Sequence, residues 1–367
     1  MTQGSVGARP VIPLTGATRA SPASGGRWWR SRPRWRQLRP GWPEALLALL
    51  AYVPLLLTAP GYVGADTKAY LYLNPDKLLA RAPYMWDEHV GAGTVTHQNI
   101  GYLLPMGPWY WFWQHVGVPD WVAQRLWTGT LLFAAGTGVL FLLRTFGWPR
   151  GTAAVAAFAY AFTPYVLEYE ARISAILMPW AAMPWLLALT VRALRLLGPA
   201  TIPRSPWRAG WRYPALIAVV IALSGSVNAT SLAWALLTPL LWLPFAVWGY
   251  REVSGRRALG FLWRCAVTIF LGNVWWVAGL AIQGGYGLDV LAFTESIKTV
   301  ASSSQASEVL RGLGNWYFYG RDGTAAWVQA AEALTRAGWL DGGQLCPARC
   351  SPCCSPGASG GGSAPTS

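Results

Sequence analysis

Leu46-Leu-Ala-Leu-Leu-Ala-Tyr-Val-Pro-Leu-Leu-Leu-Thr-Ala-Pro60 runs without a charge into Gly61-Tyr-Val-Gly-Ala-Asp-Thr-Lys68. With Pro43 to Ala45 added, the apolar run reaches about 18 residues, just enough to cross a bilayer. Asp66 then lies where the chain leaves the membrane. A carboxylate there is costly if it faces lipid and useful if it faces a reaction site at the interface.

The rest of the chain has the same character. Of its 367 residues, 53% are hydrophobic, 24 are Trp and only 12% are charged. Soluble domains carry about 25% charged residues. The deficit and the repeated long apolar runs predict an all-α polytopic membrane protein. The net charge of +14 does not call for nucleic acid. The arginines cluster between apolar runs, where the positive-inside rule accounts for them.

Seven spans are expected, at about 43–60, 121–143, 151–167, 174–194, 213–229, 230–249 and 258–282. Residues 1–42 form a basic N-terminal segment, disordered to about residue 26. Within it, Arg27-Trp-Trp-Arg-Ser-Arg-Pro-Arg-Trp-Arg-Gln-Leu-Arg39 suits an anionic cytoplasmic leaflet or a topogenic charge block. That places the N-terminus in the cytoplasm of a multi-pass plasma-membrane protein and Asp66 outside. Arg144, Arg150, Arg192, Arg195, Arg204, Arg208, Arg212, Arg251, Arg256 and Arg257 then fall inside, and most acids fall outside.

The first external loop, 61–120, is expected to hold an interfacial helix from Ala69 to Arg81. Its Leu103–Val118 stretch re-enters or lies along the membrane; were it to span fully, the downstream parity would invert. Residues 283–328 form a further external segment. From 329 to 367 the composition shifts to Ala, Gly, Ser, Pro, Arg and Cys, as expected of a frame-shifted tail on the N-terminal piece of a longer protein. The cysteines Cys346, Cys350, Cys353 and Cys354 lack the surroundings of a zinc site. Cys265 reads as a packed core thiol.

Three external clusters can carry chemistry: Asp66-Thr67-Lys68; Asp87-Glu88-His89 with Gln98 and Asn99; and Glu168-Tyr-Glu170-Ala-Arg172-Ile-Ser174. A carboxylate can deprotonate an acceptor hydroxyl, and a cation can hold a phosphate leaving group. Together they suit a lipid-phosphate sugar donor. The blander readings are a helix-capping or solvated Asp66, solvated Asp87 and Glu88, internal pairing of Glu168, Glu170 and Arg172, and a capping Asn228. A divalent cation held by His89, His97 and His115 with Asp66 and Glu88 has no recognised ligand spacing behind it.

Gly64-Ala-Asp-Thr-Lys68, Asn99-Ile-Gly-Tyr-Leu-Leu-Pro-Met-Gly-Pro108, Arg172-Ile-Ser-Ala-Ile-Leu-Met-Pro-Trp180 and Gly225-Ser-Val-Asn-Ala-Thr230 resemble the mycobacterial-type α-(1→3)-arabinofuranosyltransferase AftD family. Leu310-Arg-Gly312 and Asn315-Trp-Tyr-Phe-Tyr-Gly320 add to the resemblance. It implies a GT-C-like transmembrane bundle over 43–282. It also implies transfer of arabinofuranose from decaprenylphosphoryl arabinose to the arabinan of arabinogalactan or lipoarabinomannan, outside the plasma membrane. Asp66 is the position matching the family's essential first-loop acid. Lys68, Gln98, Asn99, Glu170, Arg172 and Asn228 are expected to contact donor phosphate or substrate. Family members are longer than this chain. Two other functions fit a chain of this composition: a flippase for lipid-linked sugars and a noncatalytic assembly partner. A flippase calls for ionisable groups near the bilayer midplane, whereas here the acids gather outside the spans.

Overall fold

The computed structural model describes residues 41–66, 69–89, 92–96, 98–170, 173–196, 206–251 and 253–287, with short pieces at 296–302, 310, 321–322 and 325–326. The basic segment at 27–39, the 329–367 tail and most of 283–328 lie outside the described residues. The chain runs α1 (Trp42–Leu57), α2 (Tyr70–Leu73), α3 (Pro75–Arg81), β1 (Trp86–Asp87), β2 (Thr94–Val95), α4 (Gln98–Gly101), α5 (Met106–His115) and α6 (Asp120–Thr145). It continues through α7 (Arg150–Ala161), α8 (Pro164–Glu170), α9 (Ser174–Leu196), α10 (Pro206–Gly225), α11 (Ala229–Pro244) and α12 (Gly255–Tyr286). A π turn, Phe245–Gly249, prolongs α11. The short α13 (Ile297–Ser302) and the antiparallel pair β3 (Arg321–Asp322) and β4 (Ala325–Ala326) follow.

The bundle is built on α6. Its Thr130, Thr137 and Thr145 hydroxyls donate to the carbonyls of Leu126, Phe133 and Phe141, each four residues back. These hydroxyls need no partner from lipid. Its glycines let neighbours approach closely, the usual basis of helix association in membranes. A Cβ at Gly129 would lie 2.4 Å from the Tyr52 ring and 2.9 Å from the Ala51 carbonyl oxygen of α1. On another face, a Cβ at Gly138 would lie 2.6 Å from Trp185 of α9. Around this axis α1 and α7 bury Leu47, Ala153, Ala157 and Ala161. Helices α9 to α12 bury Leu186, Ile217, Ile221, Phe261 and Trp276. Cys265 is buried there too, a packed thiol as its apolar run implies.

Polar contacts fix the helix directions. Glu44 at the start of α1 pairs with Arg144 at the end of α6, so these two run antiparallel. The Trp127 indole donates to Ser174 Oγ at 3.0 Å, and Arg192 Nε donates to Thr145 Oγ1 at 2.8 Å. These contacts make α6 and α9 parallel. Asn273 of α12 reaches the Ala218 carbonyl of α10, and Arg264 lies against Gly210. That pair is parallel as well. Arg144, Arg150, Arg192 and Arg264 therefore gather at one end of the bundle. Asp66, Asp87, Glu170 and Asn228 gather at the other.

Among the described residues, four helices are long and apolar enough to cross a membrane: α6, α9, α11 with its π turn, and α12. Helices α1 and α10 are apolar but shorter. In α9, 72% of the apolar window is buried inside the protein, against 22% in α11 and in α12. So α9 is core, while α11 and α12 form the rim and turn Trp234, Trp248, Trp263 and Leu271 outward.

Two expectations are corrected. The 151–167 stretch is not one continuous helix. Helix α7 ends at Ala161, and α8 begins at Pro164, which has no N–H to continue the ladder; the Thr163 hydroxyl caps α8 by accepting the Val166 N–H. The Ala69–Arg81 helix is broken into α2 and α3 at Asn74-Pro75, where Asn74 Oδ1 accepts the Lys77 N–H. As expected, Leu103–Val118 does not span. Its helix, α5, has ten residues and rises about 15 Å, half of the roughly 30 Å hydrocarbon core. It adds no full crossing between α1 and α6, which run antiparallel.

Substituting Gly129→Val should lower the thermal midpoint of the detergent-solubilised protein, by a loss of about 1–3 kcal/mol or more. Gly151→Ala, whose Cβ meets nothing within 4 Å, should leave the midpoint unchanged or slightly raised. Equal midpoints for Gly129→Val and the parent would contradict the close α1–α6 approach.

Candidate active site

Asp66 lies in the segment leading from α1 to α2, yet it is buried, 4% exposed. Its carboxylate Oδ1 accepts the backbone N–H of Ser174, the first residue of α9, at 2.8 Å. The first N–H groups of a helix have no partner within it, and the helix dipole favours an anion at that end. The carboxylate thus serves as a helix cap supplied by a distant loop. The capping reading made from the sequence is correct as to place, and burial excludes the solvated one.

The loop is held on both flanks. Gln124, 2% exposed, grips the Gly64 peptide with both ends of its amide. Its Oε1 accepts the Gly64 N–H at 2.7 Å, and its Nε2 donates to the Gly64 carbonyl at 2.9 Å. The Tyr72 hydroxyl donates to the carbonyls of Gly64 at 3.0 Å and Asp66 at 3.4 Å. Beneath lies an aromatic floor. The Tyr72 and Tyr110 rings are 5.9 Å apart, and Trp109 meets Trp127 edge-on at 5.5 Å. Burial first, and then the Asp66 charge, push the Tyr72 and Tyr110 phenols above their ordinary range. Both remain neutral at physiological pH.

Glu170 ends α8, partly buried. Burial foremost, with the Asp66 charge adding, raises its carboxyl above the usual value; Arg125 pulls the other way. The first and third clusters therefore meet at the N-terminus of α9.

The second cluster is built from α2, α3, α4 and the β1–β2 hairpin. Asp87 is buried, not a solvated loop acid, because the hairpin turns it inward onto three donors. Asn99 Nδ2 donates to its Oδ2 at 2.9 Å; the His89 N–H and Arg81 donate to its Oδ1 at 3.0 and 3.4 Å. Asn99 Oδ1 in turn accepts from the Tyr70 hydroxyl at 3.1 Å. The Asn99 hydrogen bond foremost, with His89 and Arg81, outweighs burial and holds the Asp87 carboxyl below its ordinary value. Glu88 is exposed, as expected. The cluster is joined to the bundle by Ser226, which donates to the carbonyls of Gly101 and Leu104.

Of the other candidates, Asn228 caps α11, its Oδ1 accepting the Ser231 N–H at 2.9 Å. Gln98 opens α4, and its side chain is outside the description. Lys68, Arg172 and His97 lie outside the described residues. His89 stacks its ring nitrogens against Arg81, and His115 lies against Trp111 and Asp76. Among the described residues no three His, Cys, Asp or Glu side chains form a metal-binding group. Sequence reasoning passed over Tyr70, Tyr72, Arg81 and Gln124. The visible signals were the Tyr-x-Tyr pair just past Asp66 and a glutamine inside an otherwise apolar span.

Residues 50–340 match the family described as alpha-(1->3)-arabinofuranosyltransferase, N-terminal GT-C domain. The chain belongs to this family. It is 32% identical over 278 residues to the alpha-(1->3)-arabinofuranosyltransferase of Mycobacterium tuberculosis (strain ATCC 25618 / H37Rv), covering 74% of this chain and 19% of that protein. To the Mycolicibacterium smegmatis protein of the same name it is 32% identical over 276 residues, covering 73% and 18%. The cryo-EM structure of arabinofuranosyltransferase AftD from mycobacteria superposes with a TM-score of 0.62 at 31% identity, over 75% of this chain and 19% of that one. An R1389S mutant form of the same enzyme gives a TM-score of 0.57 at 30% identity, over 66% and 18%. The fold is thus the GT-C-type membrane bundle, and the chain spans about a fifth of the length of these relatives.

The two acid centres should respond oppositely to pH. Asp87 has a lowered folded value, so its stabilisation is full above the ordinary carboxylate range and is lost as pH falls through the lowered value. Glu170 has a raised value, so its ionisation penalty is full above the raised value and disappears below the ordinary one. Asp87→Asn should lower the thermal midpoint at pH 7 and flatten its fall on acidification. Glu170→Gln should raise the midpoint at pH 7 and lose that advantage near pH 4, close to the ordinary carboxylate value. Midpoints measured across this range check both signs.

Proposed function

We propose that this chain forms the catalytic bundle of a membrane glycosyltransferase. The enzyme transfers arabinofuranose from decaprenylphosphoryl arabinose to cell-wall arabinan, of arabinogalactan or lipoarabinomannan, on the outer face of the plasma membrane. The observation that carries this reading is the buried Asp66 carboxylate. It is fixed on the N-terminus of α9 at the end of the bundle where the external loops converge. The arabinofuranosyltransferase names of the relatives support the choice of sugar.

In the proposed step Asp66 is the general base. It takes the proton of an acceptor hydroxyl, the oxygen forms a bond to C1 of the arabinofuranose, and the C1–O bond to the polyprenyl phosphate breaks with inversion. Lys68 and Arg172, neighbours in sequence of Asp66 and Ser174, are assigned to the phosphate. Charge-assisted hydrogen bonds there stabilise the charge left on it. Glu170, Gln98, Asn99 and Asn228 are assigned to the rim that receives the sugars. Asn99 acts through the groups it holds in place.

The test uses membranes carrying the native protein. Asp66→Asn keeps an oxygen to accept the Ser174 N–H, so the thermal midpoint should hold. It cannot take a proton, so arabinosyl transfer should fall about 100-fold or more, the usual weight of a general base. Normal transfer by the Asn variant would overturn the assignment.

A further inference from the structure

A cavity of about 250 Å³ opens beside the catalytic loop, lined by Tyr70, Lys77, Arg81, Asp87, His89 and Asn99. These residues span thirty positions of the first loop and are drawn together by α2, α3, the β1–β2 hairpin and α4. We propose that this cavity is a subsite for one furanose ring of the acceptor glycan. The proposal rests on the arabinosyl-transfer reading and adds where the acceptor sits.

The wall is rigid before anything enters. The Tyr70 hydroxyl fixes Asn99, and Asn99, Arg81 and the His89 N–H fix Asp87. Preformed polar groups spare a ligand the cost of ordering them. The polar lining mixes an acceptor, the Asp87 carboxylate, with donors from Arg81 and Lys77. That mixture suits sugar hydroxyls, which both donate and accept. The Tyr70 ring and Leu78, also in the lining, offer apolar surface to a sugar's C–H face.

Two other ligands of this reaction fit less well. The ionised Asp87 in the wall would face the charge of a phosphate. A polyprenyl chain needs far more room, since sites for drug-sized ligands run to about 300–1,000 Å³. The rim is also open to water: Tyr70, Lys77 and His89 are exposed and Arg81 is partly so.

Position relative to the base supports an acceptor site. Helix α2 has four residues. Successive residues turn by about 100°, so Tyr70 and Tyr72 project on opposite sides. Tyr70 bonds Asn99 in the cavity wall, while Tyr72 bonds the Asp66 and Gly64 carbonyls. One turn of helix separates the cavity from the base.

The purified, detergent-solubilised protein is titrated with an arabinofuranose oligosaccharide and observed by saturation-transfer NMR, with no donor lipid present. Wild type should bind, and Asp66→Asn should bind equally while losing transfer. His89→Ala, which keeps its backbone N–H bond to Asp87, should leave the thermal midpoint unchanged; Arg81→Gln, which gives up the ion pair with Asp87, should lower it slightly. Arg81→Gln should weaken oligosaccharide binding about tenfold or more, the weight of one charge-assisted hydrogen bond, and His89→Ala should weaken it less. Inorganic phosphate should not displace the sugar. Absence of wild-type binding, unchanged affinity in Arg81→Gln, or displacement by phosphate would each overturn the subsite. Transfer surviving in Asp66→Asn would instead overturn the catalytic reading.

Discussion

The hydrogen bond from Ser174 N–H to Asp66 Oδ1 joins residues 108 positions apart, and the polar end of the bundle depends on it. Helix α9 is the most buried of the long helices. Its first N–H groups point into a region where water is scarce, and an unmet donor there costs several kcal/mol. A loop carboxylate meets that need. In return the helix terminus offers the carboxylate a favourable field. The need of the helix end thus fixes where that carboxylate stands.

The bundle below supplies the rigidity. Lipid offers no hydrophobic drive for helices to associate, so packing must do it. The α6 glycines admit the α1 backbone and the Pro184 and Trp185 side chains of α9 to close contact. Where α6 must carry hydroxyls, they bond back to its own carbonyls. Its first turns carry Gln124 and Trp127, which hold the Gly64 peptide and Ser174 respectively. The same helix that organises the core therefore aims the site.

Much of this was legible in the sequence. The apolar runs have the length and spacing of α1, α6, α9, α10, α11 and α12, because bilayer thickness leaves little freedom in helix length. The arginines marked one end because they cannot be left in lipid. Two kinds of feature escaped. Proline punctuation was underweighted: Pro164 splits the stretch read as a single span, and Pro75 splits the loop helix, although both residues are visible in the chain. Burial of loop acids was the other. Asp66 and Asp87 look alike in sequence to Glu88, and only tertiary donors separate them. Ser174 lies 108 positions from Asp66, while Asn99 and Tyr70 come from separate turns of the same loop. No local pattern announces such meetings.

The two-handed grip of Gln124 on Gly64 has a further consequence. It engages a main-chain peptide group, so it reads the position of the chain and ignores the side chain that stands there. Within the bond pattern, residue 64 is interchangeable and the count of residues is not. Removing one residue between Thr58 and Gly64 would slide the next peptide into the grip and draw the carboxylate about 3.8 Å along the chain, off the end of α9. Evolution of this loop should thus tolerate replacement far better than insertion or deletion, and its length becomes an inherited dimension of the fold.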